Sequence, residues 1–316
     1  MADLDKFGKA LDQMVQLMME MKKALNEPTP AATVPPTTPA IPTPQLQAQT
    51  VPDTLNSYEA LVQALHSNKW PEAVNPNLIC NPESETDKQD RGRGIIELMI
   101  EEDLKGLKFL DYGCGEGHSA ALAIEYSPVL SVGYDIKTHP TWSSFPSSEL
   151  LKFTTDFAEV AQLAPYNVIL LFDVIDHSLT EDSVSLLKKA KSVLAPDGKI
   201  YLRCHPFTSR HATHLYHTLN KAYLQLVFTA EELATLVTQS LYKEESTRVI
   251  YPLKTYYEHI EQAGLKIINR RDVTEQVEPF FKTPFIAERI IKNTKMGQFP
   301  DFQMGLQFVD YVLGNP

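Results

Sequence analysis

The chain has 316 residues, of which 43% are hydrophobic and 22% are charged, and its formal net charge is −11. This length and apolar content are enough to bury a substantial core, so a fully disordered protein is excluded. An acidic chain has no general attraction for nucleic acid or for an anionic membrane, and neither is an expected partner. The 22 Pro and 13 Gly invert the usual ratio, which indicates a Pro-rich segment that does not fold.

Cysteine usage and hydropathy predict a cytoplasmic protein. The three Cys include no CxxC pair and are interpreted as reduced thiols. The chain has no run of about 18 apolar residues, so no membrane span is predicted. The N-terminus also lacks the long apolar run of a secretory signal.

Residues 1–26 carry an apolar heptad pattern. Its positions are Leu4, Phe7, Leu11, Met14, Met18, Met21 and Leu25. Their alternating separations of three and four predict an amphipathic helix with a coiled-coil seam. Because three heptads are marginal for a lone helix, we expect residues 4–25 to form a homo-oligomer or to dock on a partner. The alternative is a helix that packs on its own domain.

Residues 27–53 hold eight of the 22 Pro. Such a segment cannot pack a core and predicts a disordered, extended linker. Residues 54–316 remain as a block of domain size.

Short apolar runs alternate with helical stretches in this block. Strands are predicted at 107–112, 129–136, 150–154, 168–172, 199–204, 265–272 and 306–313, and helices at 84–103, 117–126, 157–163, 180–194 and 253–263. Strands that alternate with helices imply right-handed crossovers and a parallel sheet. The predicted fold class is therefore α/β, with a doubly wound, mostly parallel sheet of about seven strands.

The first of these strands ends in a Gly-rich turn, DYGCGEGH at 111–118, which holds three of the 13 Gly. Such a turn between a strand and a helix lets a ligand approach the backbone closely. The third Gly of the dinucleotide pattern would stand at 118, which is His118. Asp111, just before the turn, is unsuited to a pyrophosphate and suited to a ligand with a cationic amine.

Residues 109–118 resemble the first motif of class I S-adenosylmethionine-dependent methyltransferases, an acid followed by G-x-G-x-G. Residues 132–136 (VGYDI) are similar to the second motif, whose acid binds the ribose, and Asp135 lies 18 residues after Gly117. Residues 155–157 (TDF) resemble the third motif, which contacts adenine. Residues 166–178 (YNVILLFDVIDHS) resemble the fourth strand and the loop that lines the methionine end. Residues 194–199 (LAPDGK) resemble the turn before strand five.

This resemblance covers about residues 85–272 and implies a Rossmann-like methyltransferase fold with S-adenosylmethionine as cofactor. The cofactor-binding residues that it implies are Asp111, Gly113, Gly115, Gly117, Asp135, Asp156, Phe157 and Asp173. Three of them have simpler explanations, because Asp111 also suits a turn cap, Asp135 a surface strand end and Asp156 a helix N-cap. The pair Asp176-His177 resembles the small-molecule branch of the family.

Residues 198–230 contain no Asp or Glu but include Arg203 and Arg210. We expect an insertion at about 205–247 that recognises a negatively charged or polyhydroxyl acceptor. The candidate catalytic bases are His177 and His205, either of which is equally consistent with a structural role.

The histidines at 211, 214 and 217 are three residues apart, so the first and third would lie on different faces of a helix. A metal site would also need Cys204 or His205 as a ligand. No metal site is therefore predicted.

Two functions fit these patterns. The first is an S-adenosylmethionine-dependent methyltransferase that acts on a small-molecule or glycan-like acceptor. The second is a non-catalytic scaffold or attachment protein that retains the fold and is tethered through its N-terminal helix.

Overall fold

The computed structural model describes residues 55–67, 69–76, 83–146, 148–177, 180–212, 215–217, 219–236, 251–294 and 301–316. The helix predicted at 1–26 and the linker predicted at 27–53 lie outside these residues. No helix in the described ranges is both long enough and apolar enough to cross a membrane.

The described chain contains ten α-helices and seven strands. The helices are α1 (Tyr58–Leu65), α2 (Glu85–Met99), α3 (His118–Leu122), α4 (Phe157–Leu163), α5 (Thr180–Ser192), α6 (Leu224–Val227), α7 (Ala230–Leu236), α8 (Leu253–Gln262), α9 (Pro284–Thr294) and α10 (Asp301–Met304). The strands are β1 (Lys108–Tyr112), β2 (Leu130–Tyr134), β3 (Leu151–Thr154), β4 (Tyr166–Phe172), β5 (Leu194–Cys204), β6 (Lys266–Thr274) and β7 (Leu306–Gly314). Short 3₁₀ helices add Ala123–Tyr126, Pro140–Ser144, Ile175–His177, Leu215–His217 and Pro279–Lys282.

The chain forms two compact units. The smaller comprises the described residues within Met1–Pro71, Leu224–Leu233 and Val277–Pro300, and the larger comprises those within Glu72–Tyr223, Ala234–Gln276 and Asp301–Pro316. Of the insertion predicted at 205–247, residues 224–233 belong to the smaller unit and 237–247 lie outside the described residues.

Aromatic side chains hold the smaller unit together. Trp70 is buried, with its ring centroid 5.6 Å from that of Phe228 and 5.0 Å from that of Phe280. The Arg289 guanidinium lies over the Tyr58 ring and pairs with Glu232 at 2.6 Å. Three segments that are distant in the sequence therefore share one aromatic core.

The larger unit is built on a seven-stranded sheet in the order β3-β2-β1-β4-β5-β7-β6. Strands β1 to β5 are parallel, whereas β7 runs antiparallel to both β5 and β6. This arrangement confirms the predicted doubly wound, mostly parallel sheet. The predicted turn at 194–199 instead lies within β5, because Leu194 pairs with Tyr166 across a register shift.

Strand β4 shows why the central apolar runs are continuous. Val168, Ile169, Leu170 and Leu171 are all fully buried. Successive side chains of a strand point to opposite faces, and these four alternate between two separate apolar clusters. A central parallel strand covered on both faces has no solvent side and needs no polar alternation.

His259 in α8 predicts a pH-dependent loss of stability. Its side chain is 1% exposed, neither ring nitrogen has a hydrogen-bond partner among the described residues, and burial lowers its pKa. The neutral form is therefore favoured in the folded state, so this contribution to stability is present above the ordinary histidine pKa of about 6.5 and is lost as the pH falls below it. In urea unfolding at about pH 7.5 and about pH 5.5, one unit on either side of that value, His259→Leu should lose less free energy of unfolding on acidification than the unmodified chain.

His66 supplies the matched control, because its side chain is exposed. His66→Leu should keep the pH dependence of the unmodified chain. Equal pH dependence in the His259→Leu variant and the unmodified chain would contradict the role given to His259.

Candidate active site

The Gly-rich turn follows β1 and leads directly into α3. Gly113, Gly115 and Gly117 have φ values of 83°, 52° and 89°, a region that side chains rarely adopt. A Cβ at Gly117 would lie 2.5 Å from the Phe153 ring, whereas a Cβ at Gly115 would meet no atom of the described residues within 4 Å. The turn is therefore closely packed on one side and has open space beside Gly115.

Asp135 joins this turn to the end of β2. Its Oδ2 accepts a hydrogen bond from the Gly115 amide at 2.9 Å, and its Oδ1 accepts one from the Lys137 amide at 3.2 Å. The pairing of Tyr112 with Tyr134 brings the ends of the two strands side by side. The Asp135 carboxylate therefore connects the second predicted motif, at 132–136, to the first, at 109–118.

Asp111 is buried beneath the turn and is 4% exposed. Burial, and secondarily the charge of Asp135, raises its pKa to about 7, although a backbone hydrogen bond from Ala120 opposes the rise. A carboxyl group in this environment gains its charge more easily when a cation lies beside it.

Asp156 and Phe157 lie where β3 ends. Asp156 is the N-cap of α4, because its Oδ1 accepts a hydrogen bond from the Ala158 amide at 2.8 Å. The Phe157 ring packs against the rings of Tyr112 and Tyr134, with centroids 6.0 and 5.7 Å away. The helix-cap interpretation of Asp156 is thus present in the structure, at the same sheet edge as Asp135.

Asp173 and His205 follow the neighbouring strands β4 and β5. Asp173 has a φ of 54°, and its Oδ1 lies 3.5 Å from Nδ1 of His205. The same nitrogen lies 2.9 Å from Oδ2 of Asp176, which is fully buried. His177 ends the 3₁₀ helix Ile175–His177, but its side chain lies outside the described residues.

From the sequence, Asp176 is named only as the neighbour of His177 and is not included among the candidate site residues. The motif pairs it with its neighbour His177, whereas the structure pairs it with His205. The positions of Asp176 and His205 just after the predicted strands β4 and β5 could have indicated this contact, because residues that follow adjacent parallel strands meet at one edge of the sheet.

The acidic cluster with His205 adjoins the Gly-rich turn. A Cβ at Gly113 would lie 2.6 Å from a methyl carbon of Val174, the residue after Asp173. The Tyr256 hydroxyl donates a hydrogen bond to the His205 carbonyl at 3.0 Å, and the His211 ring lies 4.9 Å from the His205 ring. His214 and the side chain of His217 lie outside the described residues.

A second group that the sequence did not indicate supports the turn from the other side. The Trp142 ring nitrogen donates a hydrogen bond to the Gly115 carbonyl at 2.8 Å, and the Thr141 hydroxyl donates one to the Glu116 carbonyl at 2.7 Å. The Trp142 ring stacks on Phe153 at 5.2 Å. The segment after β2 therefore helps to fix the backbone of the turn.

The two arginines expected to create a positive surface are engaged with acids. Arg203 makes two hydrogen bonds to Asp310, at 2.6 and 2.8 Å, and its guanidinium lies 3.6 Å from the Phe308 ring centroid. Arg210 lies 3.5 Å from Glu275. Both arginines therefore contact acids of the larger unit, and they give no support to an anionic acceptor.

A model of the methyltransferase domain family matches residues 86–269, which is more than half of the chain. The chain therefore belongs to the methyltransferase domain family, for which S-adenosylmethionine is the expected cofactor. No curated protein sequence matches the chain.

Solved structures similar to this chain are remote in sequence. An S-adenosylmethionine-dependent methyltransferase from Clostridium acetobutylicum is 11% identical, with a TM-score of 0.46, over 76% of this chain and 95% of that one. One from Archaeoglobus fulgidus is 16% identical, with a TM-score of 0.45, over 75% and 96%. The 1,6-didemethyltoxoflavin-N1-methyltransferase of Burkholderia thailandensis is 12% identical, with a TM-score of 0.42, over 82% and 87%.

The packing of the turn predicts a sharp difference between two glycines. Gly117→Ala forces a Cβ against Phe153 at a positive φ and should lower the free energy of unfolding by at least about 1 kcal/mol. Gly94→Ala, in the interior of α2 with open space around its Cβ, should raise that free energy by roughly 0.5–1 kcal/mol. Urea unfolding measures both, and equal effects of the same sign would contradict the described turn.

Proposed function

We propose that this protein transfers a methyl group from S-adenosylmethionine to a small-molecule or glycan-like acceptor. The observation that supports the proposal best is the hydrogen bond between Asp135 and the Gly115 amide, which places an acid beside an open, Gly-rich turn at the carboxyl ends of β1 and β2. In an open α/β sheet this edge is where ligands bind. None of the described residues and none of the comparisons supports the scaffold alternative.

The residues present suit the cofactor. The open space beside Gly115 lets a ligand lie against the backbone. Asp135 would accept hydrogen bonds from the two ribose hydroxyls, and Asp111 would stabilise the cationic methionine end from beneath the turn. Asp156 and Phe157, at the end of β3, are assigned to the adenine.

The sulfonium of S-adenosylmethionine supplies an already activated methyl group, so this chain has to position the acceptor and to deal with its proton. Asp173 and His205 follow β4 and β5, respectively. Val174, the residue after Asp173, packs against Gly113 of the turn. We therefore assign the acceptor end to this part of the edge. His177 stays a candidate there by its position in the sequence.

Calorimetric titration with S-adenosylhomocysteine, the product of the cofactor, tests the binding site. Asp135→Ala should weaken binding about 10- to 100-fold, because it removes charge-assisted hydrogen bonds to the ribose. Asp197→Ala, on an exposed residue of β5, should leave the affinity unchanged. An unchanged affinity in Asp135→Ala would refute the assignment of the ribose site, and an undetectable affinity in the unmodified chain would refute the proposed function.

The buried carboxyl of Asp111 predicts that cofactor binding depends on pH. Because its pKa is raised to about 7, the group is protonated in the free protein at lower pH, and the α-ammonium group of the ligand has to displace that proton. The affinity for S-adenosylhomocysteine should fall as the pH decreases from 8 to 6, by at most about tenfold per pH unit. Asp111→Asn should bind more weakly at pH 8 and show a flatter dependence.

Asp197→Asn is the matched amide control and should retain the slope of the unmodified chain. Identical slopes in Asp111→Asn and the unmodified chain would show that Asp111 does not face the cationic end of the ligand.

A further inference from the structure

Three side chains of different chemistry converge at the acceptor end of the site. Asp173, Asp176 and His205 each place one potential ligand atom within 4.8 Å of the other two. Both carboxylates approach the same atom, Nδ1 of His205, at 3.5 and 2.9 Å. We refer to these three residues as the carboxylate–imidazole cluster.

A proton-relay pair accounts for only part of this cluster. One carboxylate, that of Asp176, is enough to orient an imidazole through Nδ1 and to fix its tautomer. Asp173 places a second carboxylate oxygen near the same nitrogen, Nδ1 of His205. Because Nδ1 carries at most one hydrogen, it cannot donate a full hydrogen bond to both carboxylates. Two carboxylates and one imidazole nitrogen that converge from the ends of two strands match the donor set of a divalent cation.

The surroundings of the cluster are electrically suited to a cation. Asp176 is fully buried and His205 is 6% exposed, so the charge of the Asp176 carboxylate is poorly screened by water.

We propose that Asp173, Asp176 and His205 bind a divalent cation, and that the acceptor binds it through two neighbouring oxygen atoms. Mixed oxygen and imidazole ligands favour a first-row ion such as Mn²⁺ over Ca²⁺, which takes oxygen ligands alone. His205 would be neutral, with its proton on Nε2, and Nδ1 would exchange its contact with Asp176 for the cation. The role of the acceptor in this proposal rests on the proposed function, whereas the cation site does not.

The chemistry then defines the acceptor class as a compound with vicinal hydroxyl groups, or with a hydroxyl beside a carbonyl. A cation lowers the pKa of a hydroxyl bound to it, so the proton of that hydroxyl passes to water. The acceptor oxygen forms a bond to the methyl carbon, and the bond from that carbon to sulfur breaks. The electron pair stays on sulfur, which becomes a neutral thioether.

The sequence predicted no metal site because its spacing shows none. Asp176 and His205 are 29 residues apart and meet only because β4 and β5 are adjacent in the sheet. In the sequence, the histidines that lie close together are those at 211, 214 and 217, in the segment that follows β5.

Titration of the full chain with Mn²⁺, followed by electron paramagnetic resonance of the free ion, tests the cation site without any assay of activity. The unmodified chain should bind one ion at saturation. Asp173→Asn and His205→Ala should each weaken binding by at least about tenfold, since each removes one ligand. Asp197→Asn and His66→Ala, on exposed residues, should bind Mn²⁺ like the unmodified chain.

Calorimetry with S-adenosylhomocysteine on the same preparations separates the two proposals and reports on folding. His205→Ala should retain that affinity within about threefold, because His205 is assigned to the acceptor end of the site and is not among the expected cofactor-binding residues. No saturable Mn²⁺ binding in the unmodified chain would overturn the cation site and leave a hydrogen-bonded His205–Asp176 pair. Mn²⁺ binding that survives both substitutions would overturn it as well, while Mn²⁺ binding without S-adenosylhomocysteine binding would refute only the proposed function.

Discussion

The bond between Asp135 and the Gly115 amide is the interaction on which the site depends. It fixes the turn after β1 to the end of β2, and it requires a backbone that bends through three positive φ values without side chains. Trp142 and Phe153 hold the turn from the other side. A carboxylate, open space and an exposed backbone are thereby placed together before any ligand arrives, which limits the entropy lost on binding.

The order of the strands brings the other candidate site residues to the same edge of the sheet. Because β1 lies between β2 and β4, Asp111 near the end of β1 and Asp135 after β2 lie at one half of the edge, and the residues after β4 and β5 lie at the other. Val174 packs against Gly113 and joins the two halves. The edge is rich in acids, as expected for a cofactor that carries positive charge and for the proposed cation at Asp173, Asp176 and His205.

How far the sequence predicts this structure depends on how local each feature is. The strands β1, β2 and β4 and the turn at 113–117 follow from short patterns, apolar runs and closely spaced glycines, and they were predicted within a few residues. The contact between Asp176 and His205, and the pair formed by Arg203 and Asp310, depend on which strands become neighbours. The antiparallel placement of β7 beside β5 brings Asp310 to Arg203, and no pattern near either residue indicates it.

The most direct test of the central claim is a crystal structure of the full chain grown with S-adenosylhomocysteine. Our account predicts the ribose hydroxyls on the Asp135 carboxylate and the methionine end beside the turn at 113–117, above Asp111. A ligand bound elsewhere on the larger unit, with only solvent beside the turn at 113–117 and Asp135, would contradict it.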